Sequence, residues 1–61
     1  MTDIVEFYKD AGGEWRWRRK AANHRIVATG AEGYVNLGDA QEQAERINKG
    51  DVRFEVNRDS E

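Results

Sequence analysis

The 61-residue chain has no cysteine, no proline and one histidine. Lack of cysteine excludes disulfides and thiolate metal sites. It also fits a reducing compartment. His24 alone cannot build a zinc site. Its reference pKa of about 6.5 suits a general base, but no Ser or Cys nucleophile adjoins it, and it reads as a turn residue. There is no linker and no internal repeat, so residues 1–61 form one domain. No apolar run approaches the roughly 20 residues of a membrane span. Met1-Thr2-Asp3 carries no basic n-region, and the expectation is a soluble, cytoplasmic protein without a membrane partner. A charge excess of useful size is also missing. The net charge is −2, so no global positive field recruits nucleic acid. Gly30, Gly33 and Gly38 match neither GxGxxG nor a P-loop. Glu42 and Glu45 sit on an exposed helix face and read as solubility. No catalytic, metal or cofactor constellation emerges, and the expectation is a non-enzymatic protein with no cofactor.

Small size has its own consequence. A chain this short buries only about 60% of the surface that its unfolded form exposes. Small domains add disulfides, metals or oligomers to compensate, and here oligomerisation is the supplement left.

What is present is concentrated in Glu14-Trp15-Arg16-Trp17-Arg18-Arg19-Lys20-Ala21. This stretch holds both tryptophans and four of the ten basic residues. Its period-two alternation predicts a strand over 14–21. Trp15, Trp17, Arg19 and Ala21 take one face; Glu14, Arg16, Arg18 and Lys20 take the other. Before it, Ile4 to Lys9 reads as a strand rich in β-branched and aromatic residues. Asp10-Ala11-Gly12-Gly13 closes a hairpin between the two. After it, Ala22 to Arg25 is a second turn and Ile26–Thr29 a third strand. In that turn His24 occupies a position where glycine would be easier. Ala31 to Val35 is a loop bracketed by Gly30 and Gly33.

The period then changes. Leu37, Ala40, Ala44 and Ile47 form one stripe, which predicts a helix over about 37–49. Asn36 is placed to N-cap it, with Asp39 as in a capping box, and Gly50 suits a left-handed stop. Val52, Phe54 and Val56 alternate through a fourth strand over 52–57, and Arg58 to Glu61 read as a frayed polar tail. The fold class is α+β: an antiparallel sheet, a three-strand meander followed by helix and fourth strand (β-β-β-α-β), with one helix packed on one face. The expected core is Val5, Phe7, Trp15, Trp17, Ala21, Ile26, Ala28, Tyr34, Leu37, Ala40, Ala44, Ile47 and Phe54.

Val5-Glu6-Phe7-Tyr8-Lys9-Asp10, Gly13-Glu14-Trp15-Arg16-Trp17-Arg18, Lys20-Ala21-Ala22-Asn23 and Ile26-Val27-Ala28-Thr29 leading to Glu32-Gly33-Tyr34 together resemble the YegP-like family of small domains of unknown function. The helix follows at matching distance, so about three-quarters of the chain is covered. The resemblance implies a strand-rich α+β fold with one helix per repeat. Many relatives carry two repeats in tandem; for a single-repeat chain it implies that two chains pair. Two positions depart from the family pattern. Arg19 stands where an apolar residue is usual, and His24 where glycine is usual. The resemblance brings no assigned activity.

Two surfaces follow as candidates. One helix covers only part of a four-stranded sheet, and the surplus apolar face predicts a homodimer interface at Trp15, Trp17, Arg19, Phe54 and Val56. Arg16, Arg18 and Lys20 form a basic ridge, with steps of about 6–7 Å, able to track phosphates beside Tyr8 or Trp15 as a stacking platform. Pairing of that ridge with Glu6, Glu14 or Glu55 across strands would make it a solvated outer face.

Overall fold

The computed structural model describes residues 2–30 and 32–57; the expected polar tail lies outside them. The order is β1 (Asp3–Lys9), β2 (Trp15–Lys20), β3 (Ile26–Thr29), α1 (Leu37–Ile47) and β4 (Val52–Asn57). The four strands form one sheet in the order β3-β2-β1-β4, with the helix on one face.

The first turn shows why β1 and β2 pair as they do. Asp10 Oδ1 accepts from the N–H of Gly12 at 2.9 Å and of Glu14 at 3.0 Å, and Gly13 supplies the positive φ of 81°. The chain reverses in register, so that Phe7 faces Trp17 and Glu6 faces Arg18. The second turn is closed by Ala21 N–H to Arg25 C=O at 2.8 Å and by Asn23 Oδ1, which accepts from Arg25 N–H at 3.1 Å. His24 takes the left-handed conformation there, with φ 67°.

The expected wholly antiparallel sheet is corrected at β4, which runs parallel to β1 with Val5 opposite Phe54. Three alternating strands leave β3 pointing the same way as β1. The helix carries the chain back to the starting end, and the next strand must again run with β1. The β1 edge is the free one on that side, so β4 docks there and the sheet is mixed.

Val5, Phe7 and Trp17 are buried beneath Ala40 and Ala44. The two alanines let the helix lie close on the sheet, and each large side chain covered adds roughly 1.5–3 kcal/mol. Asn36 is the N-cap but makes no side-chain capping bond, which corrects the capping-box expectation. At the other end Asn48 terminates the helix. Its side-chain N–H donates to Ala44 C=O at 2.9 Å, alongside its backbone N–H at 2.8 Å.

The core is narrower than expected. The helix packs on β1 and β2 alone among the strands, so the flanks stay open. Ile47 is 61% exposed, Ile26 52% and Phe54 39%. Ala28 is exposed and Ala21 half-buried. Ile26 has a second reason. The register shifts between Arg19 and Lys20, which sets Ala28 opposite Arg19 but Ile26 opposite Lys20. The bulge breaks the alternation that would have kept Ile26 and Ala28 on one face.

One pairing was not expected. Beyond β3 the chain pairs with β2 again at Tyr34, whose N–H and C=O both bond Trp15, at 2.9 and 2.7 Å. Both bracketing glycines serve this close approach. A Cβ on Gly30 would overlap the Trp17 indole, and one on Gly33 would overlap the Glu14 carboxylate.

Candidate functional site

The outer sheet face carries the basic ridge, and each of its three residues meets an acid. Alternation in β2 puts Arg16, Arg18 and Lys20 on this face, and the antiparallel register sets the β1 carboxylate of Glu6 opposite Arg18. Glu6 stands at the centre. Its Oε1 accepts from Arg18 Nε at 2.6 Å and lies 3.4 Å from Lys20 Nζ, while Oε2 accepts from Asn57 at 3.1 Å. Burial pushes the Glu6 pKa up. The bonds from Arg18, Asn57 and Lys20 outweigh that and hold it below the ordinary carboxylate value.

Arg16 bonds Asp10 in the first turn at 2.5 Å. That guanidinium, with the Glu14 and Gly12 amides, lowers the Asp10 pKa, and the pair raises that of Arg16 in turn. The Arg18 guanidinium also lies over the Tyr8 ring, 4.7 Å from its centroid. Tyr8 is therefore stacked by this chain's own cation. Of the expected partners, Glu6 is engaged, Asp10 takes the place of Glu14, and Glu55 pairs with Arg53 at 3.4 Å.

The helix-bearing face holds the other set. Trp17 is 3% exposed, and Val5, Phe7, Ala40 and Ala44 complete its cluster. Trp15 is half-buried, with Lys9 Nζ 5.6 Å from its ring centroid. Arg19, on the same face, does not lie unpaired against apolar neighbours. Its Nε donates to Asp3 at 2.9 Å, and Nη1 reaches Asn48 Oδ1 at 3.5 Å and Lys49 C=O at 3.4 Å. A cation at the carbonyl end of a helix is favourably placed. Asp3 and Asn48 were not foreseen as its partners, because neither is near it in sequence. Phe54 stacks on Phe7 with centroids 6.1 Å apart and planes 20° apart. Its other side is open, and Val56 beside it is half-buried.

The opposite flank has a groove of about 650 Å³ between α1 and the β3 edge. Trp17 floors it, Ala28 and Thr29 form one wall, and Gln43 and Ile47 form the other. Ile47 and Ala28, expected in the core, line this groove instead; in the sequence only Gly30 and Gly33 hint that the chain comes close here. His24 lies in its exposed turn. Among the described residues, no three His, Asp or Glu side chains gather as a metal site. No helix is long and apolar enough to cross a membrane.

A family model described as domain of unknown function (DUF1508) matches residues 10–50, from the Asp10 turn to the glycine after the helix. The UPF0339 protein NMB1088 of Neisseria meningitidis serogroup B is 61% identical over 36 residues, which cover 59% of this chain and 62% of that protein. The UPF0339 protein NMA1193/NMA1859 of serogroup A has the same identity and coverage. The aligned part thus spans less than two thirds of these relatives' length. No solved structure matches.

Proposed function

The chain belongs to the DUF1508 family of domains of unknown function, and from that premise we propose that it is a non-enzymatic interaction module working as a homodimer. The observation that carries this reading is Phe54. Its ring stacks on the core residue Phe7, yet it is 39% exposed, because the helix does not reach over β4. Aromatic side chains set in a partly desolvated surface are the usual anchors of an interface. Phe54 and Val56 form the accessible end of the seam, with Trp15, Trp17 and Arg19 carrying the same face inward. The small core supports the same reading.

Phe54→Asp tests it by sedimentation. The native chain is expected to sediment as a dimer, and the variant as a monomer with an unchanged far-UV spectrum. A variant that sediments like the native chain overturns the seam.

The basic ridge is the second reading, a weak nucleic-acid surface using Arg16, Arg18 and Lys20. Ion pairs with Asp10 and Glu6 at 2.5–3.4 Å and the net charge of −2 favour the interaction module over it. Such binding would weaken steeply with salt. Absence of binding to single-stranded DNA at low ionic strength rejects it.

A further inference from the structure

The groove between β3 and α1 has three properties that the dimer reading does not use. The first is an orphan donor. A buried tryptophan N–H ordinarily finds a hydrogen-bond partner. Trp17 is 3% exposed, yet among the described residues its indole N–H makes no hydrogen bond. No side-chain nitrogen or oxygen sealed from water lacks a partner there. The Trp17 N–H is therefore reached from the groove that its ring floors.

The second is a free strand edge. β3 pairs with β2 on one side only. Ile26–Thr29 is exposed throughout and, apart from its shortness, has none of the guards that edge strands carry, no proline and no charge. Ala28 and Thr29 belong both to this edge and to the groove wall. The third is charge. Among the described residues, Glu32 is the one acidic side chain lining the groove, beside the polar Thr29, Tyr34 and Gln43.

From these we infer that the groove docks an extended peptide bearing a basic side chain, with its backbone added to the β3 edge and a hydroxyl side chain two residues from the basic one accepting from the Trp17 indole N–H. Strand addition supplies main-chain hydrogen bonds and delivers alternate side chains to one face. Here that face is the groove, where an aliphatic stem would lie along Ile47 and a cationic tip would meet Glu32. A second copy fits less well. Its own β3 offers Ile, Val, Ala and Thr to the groove, with a cation only at Arg25 beside the strand, and its entry is one of the outcomes the titration separates. The site lies on the β3 flank, at the opposite edge of the sheet from Phe54, and shares only the buried Trp17 with the proposed seam.

The test is a titration of 15N-labelled protein followed at the two indole N–H resonances, assigned by Trp15→Phe. The probes are acetylated, amidated Thr-Val-Lys-Val-Thr and its counterparts with Glu or Leu at the centre. The lysine peptide is expected to move the Trp17 resonance downfield to saturation, the leucine peptide more weakly and the glutamate peptide not at all. Glu32→Gln, an exposed substitution, should weaken the lysine peptide about two- to fivefold with the remaining spectrum unchanged. A Trp17 resonance that no peptide moves overturns the assignment. So does glutamate binding equal to lysine, or a Trp17 shift on concentrating the Phe54→Asp variant alone, which would put a second copy in the groove.

Discussion

Replacing Gly30 with alanine puts a methyl group where the Trp17 indole already lies, because the ideal Cβ would overlap Nε1, Cδ1 and Cε2 of that ring. The indole is 3% exposed and packs among Val5, Phe7, Ala40 and Ala44. It is a rigid ring and cannot swing aside as a flexible side chain would. Either the ring or the Gly30 backbone, which donates to Trp17 C=O at 3.0 Å, must give. Overpacking of this kind costs about 1–3 kcal/mol. Gly38 is the control. It lies in the first turn of α1, and a Cβ there meets nothing within 4 Å. The same substitution should add helix propensity worth about 0.5–1 kcal/mol. In a domain of this size 1 kcal/mol moves the melting temperature by roughly 4–8 °C. Gly30→Ala should therefore melt roughly 4–24 °C lower and Gly38→Ala roughly 2–8 °C higher, read by circular dichroism at fixed protein concentration. Changes of the same sign in both variants would refute the reasoning.

His24→Gly should stabilise by roughly 0.5–1 kcal/mol, the relief of a left-handed side chain less the greater entropy of glycine when unfolded; the urea midpoint should rise with an unchanged slope. Arg19→Ala should destabilise by about 1–2 kcal/mol through the lost bonds to Asp3 and the helix end, and a cycle with Asp3→Ala should show the two to be coupled. Glu6 and Asp10 both have pKa values held below the ordinary carboxylate range. Their contribution is present above the ordinary carboxylate range and is lost as pH falls through the lowered values. Melting temperature should drop below about pH 4, and Glu6→Gln with Asp10→Asn should flatten that limb.

Elements and their order are legible because strand and helix periods differ, and both survive in this chain. Val5, Phe7, Trp17, Ala40 and Ala44 emerge as core from period alone. Coverage does not. Alternation shows which residues share a face, but not that one helix spans only the two central strands, and so Ile26, Ala28, Ile47 and Phe54 were assigned to a core that stops short of them. The direction of β4 depends on which sheet edge is vacant after the crossover, a property of the assembled sheet. The bulge at Lys20 and the return of Tyr34 to Trp15 lie in the same class, since a single extra residue changes the face without changing the composition. Of the surfaces, the basic ridge is visible from Arg16, Arg18 and Lys20. Its partner Asp10 was hidden because it sits in a turn, where it reads first as backbone chemistry. The groove was hidden more completely, since its walls come from β3, from Glu32 and Tyr34 beyond it, and from α1.

The homodimer is tested most directly by the molar mass from light scattering over a dilution series of the native chain at neutral pH. The account predicts twice the mass of one chain, held through micromolar concentrations and falling to that of one chain in Phe54→Asp. A native chain that keeps the mass of a single copy at every concentration, while remaining folded, would contradict it.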